Sequence, residues 1–191
     1  MSTCLVGSEM CIRDSNTAPL SVDLDLALQR KQSQFQAGIF ALNKLTDGNV
    51  HITYSEDTVS DTMLETKGAV HHTISGPHPA GNIGIQIHHI APLNLKDIVW
   101  TLNAQDVVRI GTFFLTGELD VSNITTVVGP SIKKPAHYIS RIGNEMTSIV
   151  HDNLQDENFR LISGDVLTGN TSSMEGHSNF YDTTILSLIH I

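Results

Sequence analysis

Residues 75–81, Ser-Gly-Pro-His-Pro-Ala-Gly, constrain the backbone more than any other part of this chain. Proline fixes φ and has no amide hydrogen to donate, whereas glycine reaches φ values that are closed to other residues. Two prolines and two glycines in one short segment therefore specify a loop of a particular shape. Because loops of this kind on a rigid scaffold often carry function, this loop is the first candidate site.

Helix and strand alternate on the N-terminal side of this loop. Residues 19–45 are predicted to be mostly helical, since Phe35, Ile39 and Leu42 recur at the spacing of one helix face. Residues 50–54 alternate apolar and polar side chains, which predicts a half-buried strand. This order of elements is typical of an α/β layer.

The segments that flank the loop are shorter. Residues 56–67 are polar and predict a connection, and residues 70–74 predict a second short strand that leads into the 75–81 loop. Residues 83–90 alternate loosely between apolar and other side chains, and we interpret them as a strand that Pro92 breaks.

A second amphipathic helix is predicted for residues 104–116. Asn103 suits its N-cap position, and Val107, Ile110 and Phe114 form its apolar stripe. The pattern then changes to short β-rich runs.

From residue 121 onward, strands are predicted at residues 124–128, 137–139 and 159–162, with a short helix at residues 143–150. Strand, strand, helix, strand is an order typical of a β-grasp domain.

The two ends of the chain look foreign to the rest. Residues 1–15 and 186–191 resemble translated sequencing-adapter read-through, and we exclude both from fold reasoning. The alternative for the first segment is a genuine N-terminal strand. Both cysteines, Cys4 and Cys11, lie in that segment, so the remainder has no thiolate for a nucleophile or an iron–sulfur cluster.

Charge and hydropathy exclude two classes of partner. The formal net charge is -9, so the chain offers no basic face to nucleic acid or to anionic lipid. No apolar run approaches the length of about 18 residues that a membrane span needs. At a membrane, other subunits would have to hold this protein.

Five histidines lie within residues 71–89: His71, His72, His78, His88 and His89. A zinc or nickel site is conceivable, because histidine is a common metal ligand. The sequence lacks His-Glu-x-x-His and any histidine pair at helical i, i+4 spacing. Adjacent histidines in a strand point to opposite faces, so we predict no metal site.

Glycine-rich segments give no nucleotide signal. Residues 164–171 and 76–83 have the spacing of a Walker A loop, but Asn170 and Asn82 stand where its lysine would reach the phosphates. The sequence also contains neither a Gly-x-Gly-x-x-Gly fingerprint nor a Gly-x-Ser-x-Gly elbow.

Three blocks in a fixed order carry a family resemblance: residues 76–81, residues 99–119 and residues 160–169. Together they resemble the A-type subunits of the Na+-translocating NADH:quinone oxidoreductases (NQR complexes), over residues 16–185. The resemblance implies a partial Rossmann-like domain, similar to the flavin subunit of complex I, at residues 16–120. It implies a β-grasp module, similar to soluble-ligand-binding β-grasp domains, at residues 121–185.

The resemblance also implies a function and a set of partners. The family's complex passes electrons from NADH to ubiquinone and exports sodium, with its flavins (FAD, FMN, riboflavin) and its 2Fe–2S centres on other subunits. Accordingly, no cofactor is expected on this chain, which would be a peripheral subunit, located at the cytoplasmic face of the bacterial inner membrane. The domains that precede and follow it in the family are absent, so we expect an inactive fragment that is marginally stable alone.

A loop and one histidine are expected to contact ubiquinone or a neighbouring subunit. These residues are Gly76, Pro77, His78, Pro79, Gly81 and His88. One alternative is a non-catalytic scaffold that docks the flavin and iron–sulfur subunits. Another is the related electron-transport complex subunit, whose cluster ligands would lie beyond this chain.

Overall fold

The computed structural model shows two compact units. One contains the chain up to Thr17 together with Leu24–Asp120, and the other contains Ala18–Asp23 and the chain from Val121 onward. None of the helices in the part of the chain that the structure describes is long and apolar enough to cross a membrane. The described residues are 8–13, 16–155 and 159–189.

A sheet of four parallel strands forms the centre of the first unit, in the spatial order β3-β2-β1-β4. The strands are β1 (Ser8–Arg13), β2 (Val50–Ser55), β3 (Val70–Ile74) and β4 (Ile98–Asn103). This is the order of the first four strands in a Rossmann fold, so the predicted Rossmann-like architecture is confirmed.

Five helices accompany this sheet. They are α1 (Leu24–Ala27), α2 (Gln32–Leu45), α3 (Asp61–Leu64), α4 (Ile83–Ile90) and α5 (Ala104–Thr116). The predicted face of Phe35, Ile39 and Leu42 is buried against the strands. Helix α5 packs beside α2 on the same side of the sheet, where Val107 joins this core. Burial of these apolar side chains is the main term that stabilises the unit.

Helix α4 corrects the strand predicted for residues 83–90. Ile83, Ile87 and Ile90 alternate loosely, but they also recur at i, i+4 and i+7, which fits a helix equally well. Helix α4 covers the side of the sheet opposite α2. This follows from β2, where Ile52 packs against α2 while the next residue, Thr53, contacts α4.

Two smaller expectations also change. Residues 50–54 were expected to be half-buried, but β2 is buried almost throughout because helices cover both of its faces. The connection predicted at residues 56–67 contains the short helix α3.

Strand β1 contradicts the exclusion of residues 1–15 from the fold. Ser8–Arg13 lies between β2 and β4, and Met10, Cys11 and Ile12 are buried. A parallel strand at this position joins two others that would not otherwise pair, so the sheet depends on it. The read-through origin of the ends stays a prediction, and residues 1–7, 14–15 and 190–191 lie outside the described residues.

The second unit places one helix against a mixed sheet of five strands, in the order β6-β5-β9-β7-β8. Its elements are β5 (Ser122–Val128), β6 (Ala136–Arg141), α6 (Met146–Val150), a 3-10 turn (His151–Asn153), β7 (Phe159–Ser163), β8 (Asn170–Ser172) and β9 (Thr184–Ile189). Among the described strands of this unit, β5 and β9 pair in parallel, and the other neighbouring strands pair antiparallel. First and last strands side by side at the centre define a β-grasp fold, as predicted.

The core of this β-grasp unit lies between α6 and the sheet. Met146 and Val150 of α6 are buried against Val127, Leu161 and Ile185. Strand β9 supplies part of this core and also includes residues 186–189, which were excluded as a foreign end. That exclusion is wrong for these four residues, because Leu186 is fully buried and its strand pairs with two others.

Candidate functional site

A cavity of about 480 Å³ lies between strand β3 and helix α4 in the Rossmann-like unit. Strand β3 supplies His71 and His72, and α4 supplies Ile85, Gln86 and His89. The cavity reaches the carboxyl end of β3 and the first candidate loop, through Ser75 and Ala80. In open α/β sheets, ligands favour the carboxyl ends of the strands, so this cavity is the candidate site.

Gln86 fixes one wall of the cavity. Its side chain is only 2% exposed, and its Oε1 lies 2.8 Å from the hydroxyl of Thr53 on β2. The Gln86 Nε2 also donates to the carbonyl oxygen of Ala80 at 3.5 Å. A buried amide needs such partners, because leaving one unsatisfied costs about 1–3 kcal/mol. These contacts hold α4 against both the sheet and the loop.

The loop at residues 75–81 has a fixed shape that local contacts explain. Gly76 adopts φ of 123°, which only glycine tolerates readily, and the His78–Pro79 peptide bond is cis. The Thr17 hydroxyl accepts a hydrogen bond from the Gly81 amide at 2.9 Å and lies 3.2 Å from His78 Nδ1. Thr17 therefore ties the loop to the segment that follows β1.

The six predicted site residues lie beside the cavity and do not line it. His78 points to Thr17, and His88 is an exposed residue of α4 directly before the cavity-lining His89. Their contact with quinone or with a partner stays a prediction. The cavity lining instead includes His72 and His89, together with part of His71, and adds Gln86, which sequence reasoning did not single out. A lone amide among isoleucines was the available signal.

His72 belongs to a hydrogen-bonded chain of three side chains. Its Nε2 lies 2.9 Å from Nδ1 of the buried His51, and His51 Nε2 lies 3.1 Å from the Glu9 carboxylate. The amide of Asn49 donates to the same Glu9 oxygen at 2.9 Å. Burial first, then the neighbouring charges of His51 and His71, lower the pKa of His72 from its usual 6.5. His72 is therefore neutral at neutral pH.

His71 has a different environment from His72, as expected for neighbours in a strand. Its Nε2 lies 2.8 Å from the carbonyl oxygen of Thr66, and its ring meets the edge of Tyr54 on the α2 side of the sheet. His71 Nδ1 is buried without a hydrogen-bond partner. Within the described ranges, no three histidine, cysteine or acidic side chains are grouped as metal ligands would be.

A Rossmann-like unit followed by a β-grasp unit is the class of architecture that this chain shares with solved structures. The chain is similar to a structure titled as the NAD+-reducing [NiFe]-hydrogenase in the H2-reduced state, with a TM-score of 0.66 at 10% identity. That likeness covers 95% of this chain and 40% of the other. The air-oxidized state gives a TM-score of 0.60 at 11% identity, covering 94% and 40% of the two chains. Identities this low show a shared fold.

The comparison with protein families is more specific than the comparison of folds. The family described as "NqrA second alpha/beta domain" matches residues 7–119, and the "NQRA C-terminal domain" matches residues 115–173. The chain belongs to the NqrA family, which confirms the resemblance drawn from its sequence blocks.

Several relatives are named as the A-type subunit of Na(+)-translocating NADH-quinone reductase. The protein of Histophilus somni (strain 129Pt) is 35% identical over 167 residues, which are 87% of this chain and 37% of that protein. The proteins of Serratia proteamaculans (strain 568) and Rhodopirellula baltica are 32% and 35% identical, over 81% and 83% of this chain. Those matches cover 34% and 35% of the two relatives, so this chain spans about a third of their length.

Proposed function

We propose that this chain is part of a peripheral subunit of a Na+-translocating NADH:quinone oxidoreductase, at the cytoplasmic face of the bacterial inner membrane. The observation that carries this proposal is the NqrA family match over residues 7–119, together with the names of the relatives. The other subunits of that complex are its partners. Coupling of NADH oxidation and quinone reduction to sodium export belongs to the assembled complex.

The electron carriers are proposed to lie on those other subunits. This chain has two cysteines, fewer than the four thiolates that hold a Cys4-ligated 2Fe–2S cluster. One of them, Cys11, is buried in β1, and burial raises its pKa to about 11. It is therefore a poor source of thiolate. NADH, the flavins (FAD, FMN and riboflavin) and 2Fe–2S would act on neighbouring subunits.

The role proposed for this chain within the complex is contact with ubiquinone at the β3–α4 cavity. A quinone ring is flat and apolar with two carbonyl oxygens that accept hydrogen bonds. Ile85 and Ile90 offer apolar surface to such a ring, and His72 and His89 offer polar atoms. The loop residues Gly76 to Gly81 and His88 flank the cavity mouth and would contact the quinone tail or a partner.

A non-catalytic scaffold is the second candidate, and exposed apolar side chains favour it. Phe113, Phe114 and Leu115 are adjacent in α5 and are 46%, 63% and 57% exposed, and a contiguous apolar surface of this kind suits contact with another protein. The third candidate is a subunit of the related electron-transport complex. The match to the NqrA family models favours an NqrA chain over that candidate.

A cavity-filling substitution separates quinone contact from scaffolding. In the assembled complex with the full-length NqrA protein, Ile85→Trp would occupy the cavity that Ile85 lines. We expect the KM for ubiquinone-1 to rise about tenfold, equivalent to about 1.4 kcal/mol, with unchanged assembly. Leu95→Trp, at an exposed position, is the matched control. Loss of assembly in Ile85→Trp, or an unchanged KM, would favour the scaffold.

A further inference from the structure

The three-residue chain Glu9–His51–His72 ends at the wall of the cavity. His51 is buried beneath it, with 10% of its side chain exposed, while 34% of the Glu9 side chain is exposed. His72 lines the cavity, and among the described residues its Nδ1 has no hydrogen-bond partner. The hydrogen-bonded series thus begins at the Glu9 carboxylate, passes through the buried His51 ring and ends at the Nδ1 atom of His72.

The distances restrict where the hydrogens can sit. An ionised carboxylate only accepts, so His51 Nε2 must carry the hydrogen that meets Glu9. His51 Nε2 carries that ring's one hydrogen when the pair is neutral, so across the 2.9 Å contact His72 Nε2 donates and His51 Nδ1 accepts. In the neutral pair these two positions account for both hydrogens, which leaves His72 Nδ1 bare.

Proton uptake by the His51–His72 pair therefore has one available position. The third hydrogen must appear on His72 Nδ1, whichever imidazole carries the bridging hydrogen. The positive charge that results lies close to the Glu9 carboxylate, which compensates it through His51. Other titratable groups near His72 are His71 on the same strand and His89 on α4, both of which line the cavity.

A ligand oxygen distinguishes the two protonation states of His72. A bare Nδ1 presents a lone pair that repels a carbonyl or phenolate oxygen, whereas Nδ1–H donates a hydrogen bond to it. In the empty cavity the neutral state prevails, because burial and neighbouring positive charge lower the His72 pKa. A bound oxygen would reverse that preference.

We propose that the cavity binds its quinone-type ligand with uptake of one proton, and that His72 Nδ1–H donates to a ligand oxygen. The inference rests on the proposed contact with quinone. The proton comes from solvent and stays on the histidine pair, so binding moves no electrons and breaks no other bond. His72 is then a specificity-determining residue for oxygen-bearing rings, and His51 and Glu9 are positioning residues.

The test uses the 191-residue chain with ubiquinone-1 as the probe, at each pH at which circular dichroism and a cooperative unfolding transition show the chain to be folded. We expect the Kd to increase as pH rises from about 6 to about 8, approaching tenfold per pH unit where one proton is fully taken up. His72→Gln should bind more weakly and lose the pH dependence, because glutamine can bond His51 but does not titrate in this range. His151→Gln, at an exposed histidine of the other unit, should keep it.

Nitrogen-15 NMR of the imidazole rings gives an independent readout on the unsubstituted chain. His72 Nδ1 should be unprotonated in the free protein at about pH 8 and protonated with quinone bound. Quinone binding with a constant Kd, or a free His72 that carries its hydrogen on Nδ1 at that pH, would overturn this inference and leave the quinone cavity standing. Absence of quinone binding at every pH would overturn both.

Discussion

Gly111 of α5 lies so close to α2 that a Cβ placed on it would be 1.7 Å from the carbonyl oxygen of Gln34. Gly38 makes the reciprocal approach, where a Cβ would lie 2.3 Å from the carbonyl oxygen of Val107. Two glycines facing each other's helices allow the backbones to approach closely. This contact fixes α5 against α2 and, through Ala104 at its start, against the end of β4.

Gly111→Ala should therefore destabilise the Rossmann-like unit by about 1–3 kcal/mol or more, since the methyl meets backbone that cannot rotate away. Urea unfolding followed by circular dichroism would measure the free energy of unfolding. Gly84→Ala is the matched control, because Gly84 lies in a helix with no atom within 4 Å of an added Cβ. That substitution should be neutral or stabilising by about 0.5–1 kcal/mol.

The Thr53–Gln86 contact predicts a second stability effect. Thr53→Val removes a buried hydroxyl that lies 2.8 Å from Gln86 Oε1 and 3.1 Å from the carbonyl oxygen of Ile12. We expect a loss of about 1–3 kcal/mol in the free energy of unfolding. Adding Gln86→Met, which removes the amide that faces Thr53, should cost less in the Thr53→Val background than in the unsubstituted protein, as a double-mutant cycle would show. Additive losses would show that the two side chains do not interact.

The lowered pKa of His72 makes stability depend on pH in a defined direction. Because its pKa is below the unfolded value of 6.5, the unfolded chain binds more protons than the folded one in this range. Stability contributed by His72 is thus fully present above pH 6.5 and declines as pH falls through that value. The midpoint of urea unfolding should decrease on acidification, and His72→Gln should flatten this dependence. An equal slope in both proteins would contradict the assignment.

Much of the fold follows from local patterns, and the exceptions have physical causes. The face of Phe35, Ile39 and Leu42 could be predicted because helical spacing and burial agree. Residues 83–90 satisfy both periods, and in the structure they form a helix whose Gln86 contacts Thr53 of β2. Strand β1 was missed because its sequence looked foreign, although its alternating side chains suit a buried strand.

The candidate site was harder to predict than the fold. Glycine and proline content indicated the 75–81 loop, because such residues determine the backbone locally. The His51–His72 pair depends on the parallel register between β2 and β3, in which Thr53 lies opposite His72. Register between strands that are separated by helices is set by long-range packing. No local pattern in the sequence specifies it.

Cys11 gives a direct test of whether β1 is part of the fold. The thiol is buried and its pKa is raised to about 11, so it should resist thiol reagents at about pH 8 in the native protein. In a Cys4→Ser background, labelling should become fast only in denaturant. Deleting residues 1–15 should also abolish cooperative unfolding of the Rossmann-like unit, since β2 and β4 both pair with β1. Fast native labelling would instead support a foreign N-terminal segment.

Gly129 provides the corresponding test for strand β9. It adopts φ of 125°, and a Cβ placed on it would lie 2.1 Å from the carbonyl oxygen of Ser187. Gly129→Ala should therefore suffer both backbone strain and a backbone clash, and lose more than about 2 kcal/mol of stability. The matched control is Gly143→Ala, where φ is 70° but no atom lies within 4 Å.

The difference in stability between Gly129→Ala and Gly143→Ala measures the clash with Ser187, because both glycines have positive φ and an added Cβ meets β9 only at Gly129. Gly143→Ala should lose about 1–2 kcal/mol through backbone strain alone. Thermal unfolding of both variants would measure the difference. If β9 pairs with β5 as the structure shows, Gly129→Ala melts at the lower temperature. Equal melting temperatures would contradict this prediction and mean that Ser187 does not lie beside Gly129.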